Sequence, residues 1–297
     1  MVIKDRSWWP WHLRLCSGGG HKISFFVAMA SESVSSIEPW EGEVPDWFVL
    51  RWLVEHRKAA NVIELLRDDP ELARYDYGGK TLLHIAAEAG DLDTVQAVYS
   101  FAPFAIEKCE IGTGRYPLHC AAQPTYLEGV RRRELVDTRW NLDVLRFLSR
   151  KFPEALSERD QSGCLPLHYG CFADMAVLQL LSRHGWLCDW GNNQRDLPLH
   201  LVAEYGTYLN IQRVYRLCPE AVLVRNSRSY LPLHCVVRSR FADLRGLEFL
   251  IEWRPELLLG NIDELRECVG YDRKQKHIEA AFKNWFVFLA ALMFVGK

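Results

Sequence analysis

The letters LPLH open at Leu165, Leu197 and Leu231, and each copy runs on into a short apolar stretch. A catalytic motif has no reason to recur at roughly even intervals, whereas a structural unit does. Looser copies lie upstream, TLLHIAA from Thr81 and YPLHCAA from Tyr116. Five histidines, His84, His119, His168, His200 and His234, therefore mark the chain at steps of 35, 49, 32 and 34 residues. A second marker keeps register with the first. Val62, Val95, Leu145, Ile211 and Leu247 each precede a proline by eight residues, and four of those prolines are followed by Glu. The block around Leu178 lacks the proline and carries Arg183-His184-Gly185.

One block, Gly79 to Pro103, gives the unit. Leu83, Ala86 and Ala87 share a face at helical spacing, and Gly90 stands where a C-cap glycine ends a helix. Asp91 to Asp93 supply a turn and an acidic cap, and Val95, Val98 and Tyr99 make a second short stripe. Proline inside PLH fits a first helical turn, where its missing N–H is no loss. The pattern predicts helix, tight turn, helix and a polar connector. Isolated helices under about 12–15 residues are marginal in water, so each must bury its stripe against a neighbour.

A period near 33 with Leu-His-x-Ala-Ala, a glycine between two helices and a following aliphatic pair resembles the ankyrin repeat. The resemblance spans Asp46 to Asn261. It includes a degenerate first unit from Trp52 to Leu66, and it implies an all-α solenoid of about six stacked helix-turn-helix repeats. The family's threonine before Pro-Leu-His stands only at Thr81; Tyr116, Leu165, Leu197 and Leu231 replace it elsewhere. That hydroxyl would cap the helix and bond the histidine, so its loss is expected to disturb the histidine network.

The flanks read differently. Residues 1–45 are expected to be a disordered extension, with Gly18-Gly19-Gly20 as a flexible linker and either Met1 or Met29 as the native start. Ser24 to Ala30 only weakly resembles a secretory leader. About fifteen extra residues near 124–138 lie between two helices of one repeat and are either a binding element or a tolerated surface insertion. Residues 262–297 are expected to form a helical C-terminal cap; Trp285 to Val295 gives eleven apolar residues, where a membrane span needs about 17–25.

A net charge of −2 with 25 % charged residues gives no field for nucleic acid. The Arg131-Arg132-Arg133 run has acidic neighbours and reads as a solvated face. Most of the nine cysteines take small-residue positions of the repeat, so free thiols in a reducing compartment, cytoplasmic or nuclear, are expected. No cofactor and no metal is expected: stacked helices lie about 8–10 Å apart, whereas zinc needs donors at about 2.0–2.3 Å. The sequence lacks G-x-S-x-G, a Walker loop, H-E-x-x-H and C-x-x-C.

The functional expectation is a non-enzymatic, monomeric protein-binding scaffold. The alternatives are a membrane-attached scaffold using the tail and a regulatory part of an enzyme complex. Positions left free by the repeat can specify a partner: Tyr75, Tyr77, Arg115, Arg159, Asn193, Arg195, Tyr205, Arg228, Tyr230 and Arg238. Tyr and Arg are common at binding hot spots.

Overall fold

The computed structural model describes residues 11–15, 25–29, 45–123, 140–182, 190–239, 244–254 and 257. The insertion near 124–138 and the proposed cap at 262–297 lie outside the described residues. The chain divides into two compact units, residues 1–52 and 53–297.

In the first unit β1 (Trp11–Leu15) pairs antiparallel with β2 (Phe25–Met29), Trp11 opposite Met29 and Leu15 opposite Phe25. These two strands lie within residues 1–45, where the sequence leads one to expect a disordered extension; nearly all the rest of that extension lies outside the described residues. The signal was the alternation of Trp11, Leu13 and Leu15 with His12 and Arg14, a period of two that suits a strand. α1 (Asp46–Glu55) begins in this unit and ends in the next.

The described part of the second unit is helical. After α1 come α2 (Ala59–Asp68), α3 (Leu82–Ala89), α4 (Leu92–Phe101), α5 (Pro117–Ala122) and α6 (Leu142–Lys151). Then follow α7 (Pro166–Gly170), α8 (Met175–Leu181), α9 (Pro198–Tyr205), α10 (Tyr208–Leu217), α11 (Pro232–Arg238) and α12 (Leu244–Trp253). The histidine-bearing helices pack in one layer, α3 on α5, α5 on α7, α7 on α9 and α9 on α11. Their followers pack in another, α2 on α4, α4 on α6, α6 on α8 and α10 on α12. Leu83, Ala86, Ala87, Leu199, Val202 and Ala203 are buried in the first layer, and Val62, Val95, Leu145, Leu178 and Ile211 in the second.

Local chemistry sets the ends. Proline occupies the first turn of α5, α7, α9 and α11. The side chains of Asp91, Asn141, Asp174 and Thr207 accept backbone N–H groups at the starts of α4, α6, α8 and α10. Gly90 closes α3 in the left-handed region at φ 70°, where only a residue without a Cβ sits at no cost. The text after each second helix is more ordered than a connector: Pro70–Arg74, Pro103–Glu107, Pro153–Leu156 and Pro219–Leu223 each wind a 3₁₀ turn. Each turn buries one alanine, Ala73, Ala105, Ala155 or Ala221.

The five histidines are all buried, and three of them bond to the next repeat. Each Nδ1 accepts the backbone N–H three residues earlier, from Thr81, Tyr116, Leu165, Leu197 and Leu231 at 3.0–3.2 Å. That leaves the proton on Nε2, a tautomer inferred from the hydrogen bonds. Nε2 then donates to the next repeat: His84 to the Arg115 carbonyl at 2.9 Å, His119 to Cys164 at 3.2 Å and His200 to Tyr230 at 3.0 Å. The expected disturbance from losing threonine is therefore corrected. The bond that orients the ring comes from the backbone; Thr81 only adds its hydroxyl, 2.8 Å from Nδ1 of His84.

Burial lowers the pKa of His84 and His200, and takes His119 and His168 down to about 4. These rings are neutral at physiological pH, as an accepting Nδ1 requires.

Candidate functional site

The loops before each motif helix stack as a ladder of tight turns. In three of them an Asp or Asn side chain closes the turn by accepting two backbone N–H groups. Asp160 takes those of Ser162 and Cys164, Asn192 those of Gln194 and Asp196, and Asn226 those of Arg228 and Tyr230, all at 2.8–3.0 Å. Neighbouring turns bond through their backbones: Ile111 N–H to Gly79, Gln161 to Thr113, Asn193 to Ser162 and Ser227 to Gln194. Gly163 has φ 72°, and a Cβ there would stand 2.7 Å from the Asn193 backbone nitrogen. The turns can approach only because that side chain is missing.

This ladder places the sequence-selected residues. Tyr77 is buried at 6 % exposure, and its hydroxyl donates to the Leu72 carbonyl at 3.1 Å. It belongs to the core, which corrects its reading as a free contact position. Tyr75 beside it is exposed and meets the Tyr77 ring edge-on at 5.2 Å. Asn193 is exposed, yet its Nδ2 donates to the Gln161 carbonyl at 2.9 Å, a bond of the ladder. Arg159 is exposed, donates to the carbonyls of Gly163 and Gly191 and lies over the Trp190 ring at 4.9 Å. Tyr205 is exposed at the end of α9.

Arg195 is exposed on its turn, and the remaining candidates, Arg115, Arg228, Tyr230 and Arg238, take part in a series of pairs. The residue just before each cap and the residue four after each histidine are eight apart, and they meet across the start of the helix. Lys80 bonds Glu88; Arg115 donates to Gln123 Oε1 at 2.9 Å; Arg238 lies over the Tyr230 ring at 5.0 Å. Asp196 and Glu204 hold the same two positions and share Arg228, whose guanidinium lies 3.9 and 3.7 Å from them. Beneath every pair lies a motif histidine with its backbone bond, while the chemistry above it changes from repeat to repeat.

Electrostatics tie the pairs to the frame. Arg115 stacks over Tyr169 at 4.8 Å, and its Nε lies 3.8 Å from the buried Asp160 carboxylate. Burial, then its bond to Asp160, pushes Tyr169 above its ordinary pKa. Lys80 loses some preference for charge by burial, but Glu88 and Glu110 more than restore it and raise its pKa.

The buried thiols Cys120, Cys164, Cys171 and Cys235 are packing groups. Burial pushes Cys164 up to about 11 and Cys235 up to about 12, and it also raises Cys120 and Cys171. None is poised as a nucleophile. Cys218 corrects the expectation of free thiols: it is disulfide-bonded, and its partner lies outside the described residues. Among the described residues no group of three or more His, Cys, Asp or Glu side chains could hold a metal ion, and no helix is long and apolar enough to cross a membrane.

No family model matches the chain, and no curated protein matches it. Among solved structures it is similar to a chain from the complex of a predatory endopeptidase of Bdellovibrio bacteriovorus with an immunity protein. The identity is 19 %, the match covers 63 % of this chain and 89 % of that one, and the TM-score is 0.49.

Proposed function

We propose that this protein is a non-enzymatic interaction module, an ankyrin-like stack that presents its paired positions and turn tips to another protein. The observation that carries the reading is the separation of frame from face. The histidine, its backbone bond and the apolar layers repeat with little change, while the pairs above them carry Lys/Glu, Arg/Gln, Asp/Glu and Tyr/Arg. A surface whose variation leaves the core untouched can be fitted to a partner without loss of fold. Its last pair, Tyr230 and Arg238, with Arg228 two residues before it, is made of the residue types that dominate binding hot spots.

The test is affinity capture from native lysate followed by mass spectrometry, with wild type beside an Arg195→Ala/Tyr205→Ala/Arg238→Ala variant. Tyr77 is left intact because it is core. Capture of the principal partner is expected to disappear while the melting temperature stays nearly unchanged. Capture that survives this variant and is lost on deleting residues 124–138 would move the binding element to the insertion.

A further inference from the structure

Charge is unevenly distributed along the second unit. Residues 53–123 carry eleven Asp and Glu against seven Lys and Arg, whereas residues 190–239 carry three against six. Three of those six arginines, Arg195, Arg228 and Arg238, lie on the last two turns and the helix that follows.

Backbone strain singles out the first of them. The fourth position of four of the tight turns is left-handed, at Gly79 with φ 89°, Gly163 with φ 72°, Arg195 with φ 57° and Ser229 with φ 61°. Glycine enters that region freely and a residue with a Cβ does not, so Arg195 is kept there against the local backbone preference. Ser229 holds the same position in the next turn, so the conformation belongs to the turn, and what Arg195 adds is an exposed cation at its tip.

The other two arginines share an aromatic platform. Arg228 and Arg238 lie over the Tyr230 ring at 5.8 and 5.0 Å, and that ring stacks on His234 at 5.9 Å. A guanidinium held over an aromatic face is partly pre-organised and can still donate to a carboxylate. Arg228 is partly neutralised by Asp196 and Glu204, but no carboxylate of the described residues pairs with Arg238.

We propose that Arg228 and Arg238 over the Tyr230 ring, with the exposed Arg195 on the neighbouring turn, receive an acidic segment of a partner protein. This rests on the interaction reading above and names the chemistry of the partner. The carboxylates would meet Arg238 first, by a two-pronged contact that Lys cannot reproduce, with Arg195 and Arg228 extending the positive strip along the turn tips.

The probe is a fluorescein-labelled peptide of alternating Glu and Asp around one Leu, measured by anisotropy on the full chain. A Lys-for-acid peptide and a single-stranded oligonucleotide serve as competitors. Binding is expected to be salt-sensitive and to weaken at least tenfold in Arg238→Gln, with a partial loss in Arg238→Lys. Arg195→Gly should lose affinity without losing stability. Circular dichroism checks that each variant remains folded. Affinity unchanged by Arg238→Gln and Arg228→Gln together would overturn the proposal, and so would stronger binding of the oligonucleotide. If those variants abolish capture of the native partner yet leave peptide binding unaltered, the interaction module stands and its acidic partner does not.

Discussion

Two junctions in the stack are built from the same letters and differ in strength. Between α9 and α11 the His200 Nε2 donates to the Tyr230 carbonyl at 3.0 Å, and Leu199, Val202, Ala203, Leu233 and Val236 are buried around it. Between α7 and α9 the ring of His168 is equally buried, but its Nε2 meets the Asp196 backbone only loosely, outside ordinary hydrogen-bond geometry. α7 has only five residues, and its block lacks the proline that opens a 3₁₀ turn elsewhere. This junction relies instead on polar reach. Asn210 donates to the Phe172 carbonyl at 2.7 Å, Arg213 to Ala173 at 3.2 Å and Asn193 to Gln161 at 2.9 Å. The difference predicts that the junction with the looser histidine contact is where the stack opens first.

Acid should give the largest effect, because it acts at both kinds of junction. His119 and His168 titrate at about 4 when folded and near the ordinary 6.5 when unfolded. The unfolded chain takes up these protons first, so stability is full above about pH 6.5, falls as pH drops and stops falling on this account below about 4. Each ring contributes on the order of 3 kcal/mol over that window. Urea midpoints across pH 7 to 4 check it, and a flat profile would mean the rings are not held neutral.

A buried charge ranks next. Ala203→Glu and Ala87→Glu each place a carboxylate at a helix contact that is closed to water, which costs about 3 kcal/mol or more. An unchanged melting midpoint would mean that these helices present other faces to the stack.

The junctions themselves can be compared by mutation. His119→Ala removes a well-formed bond to the next repeat's Cys164 carbonyl, whereas His168→Ala removes only a loose contact with the Asp196 backbone. The first is expected to cost about 1 kcal/mol more than the second. Thiol labelling in mild urea sharpens the comparison, with Cys171 at the end of α7 reacting before Cys120 in α5. The smallest effect belongs to Arg195→Gly, which relieves the left-handed turn and should raise stability by up to about 1 kcal/mol.

The repeat, its twelve helices and the buried alanines were legible because apolar spacing at 3.6 residues survives any substitution on the outer face. Three things were not. The histidine network looked weakened because the hydroxyl at the cap was missing, yet the ring is held by a backbone N–H that every residue except proline supplies. Tyr77 looked free because it sits in a polar connector, and only the fold shows its hydroxyl turned inward to Leu72. The turn ladder depends on inter-repeat pairs more than thirty residues apart, such as Asn193 with Gln161, which no local pattern encodes. Of the candidate positions, Arg115, Arg228, Tyr230 and Arg238 do meet other pair positions, because the letters before the cap and after the histidine converge at one end of each helix.

The central claim is that the repeated histidine is a neutral bolt of the frame, acting neither as a ligand nor as an acid–base group. Proton–nitrogen NMR of the imidazole rings between pH 7 and 4 tests it most directly. His84, His119, His168 and His200 should all carry the proton on Nε2, and none of the four should titrate at the ordinary 6.5 while the protein remains folded. Titration of these rings near 6.5, or a proton on Nδ1, would contradict the account.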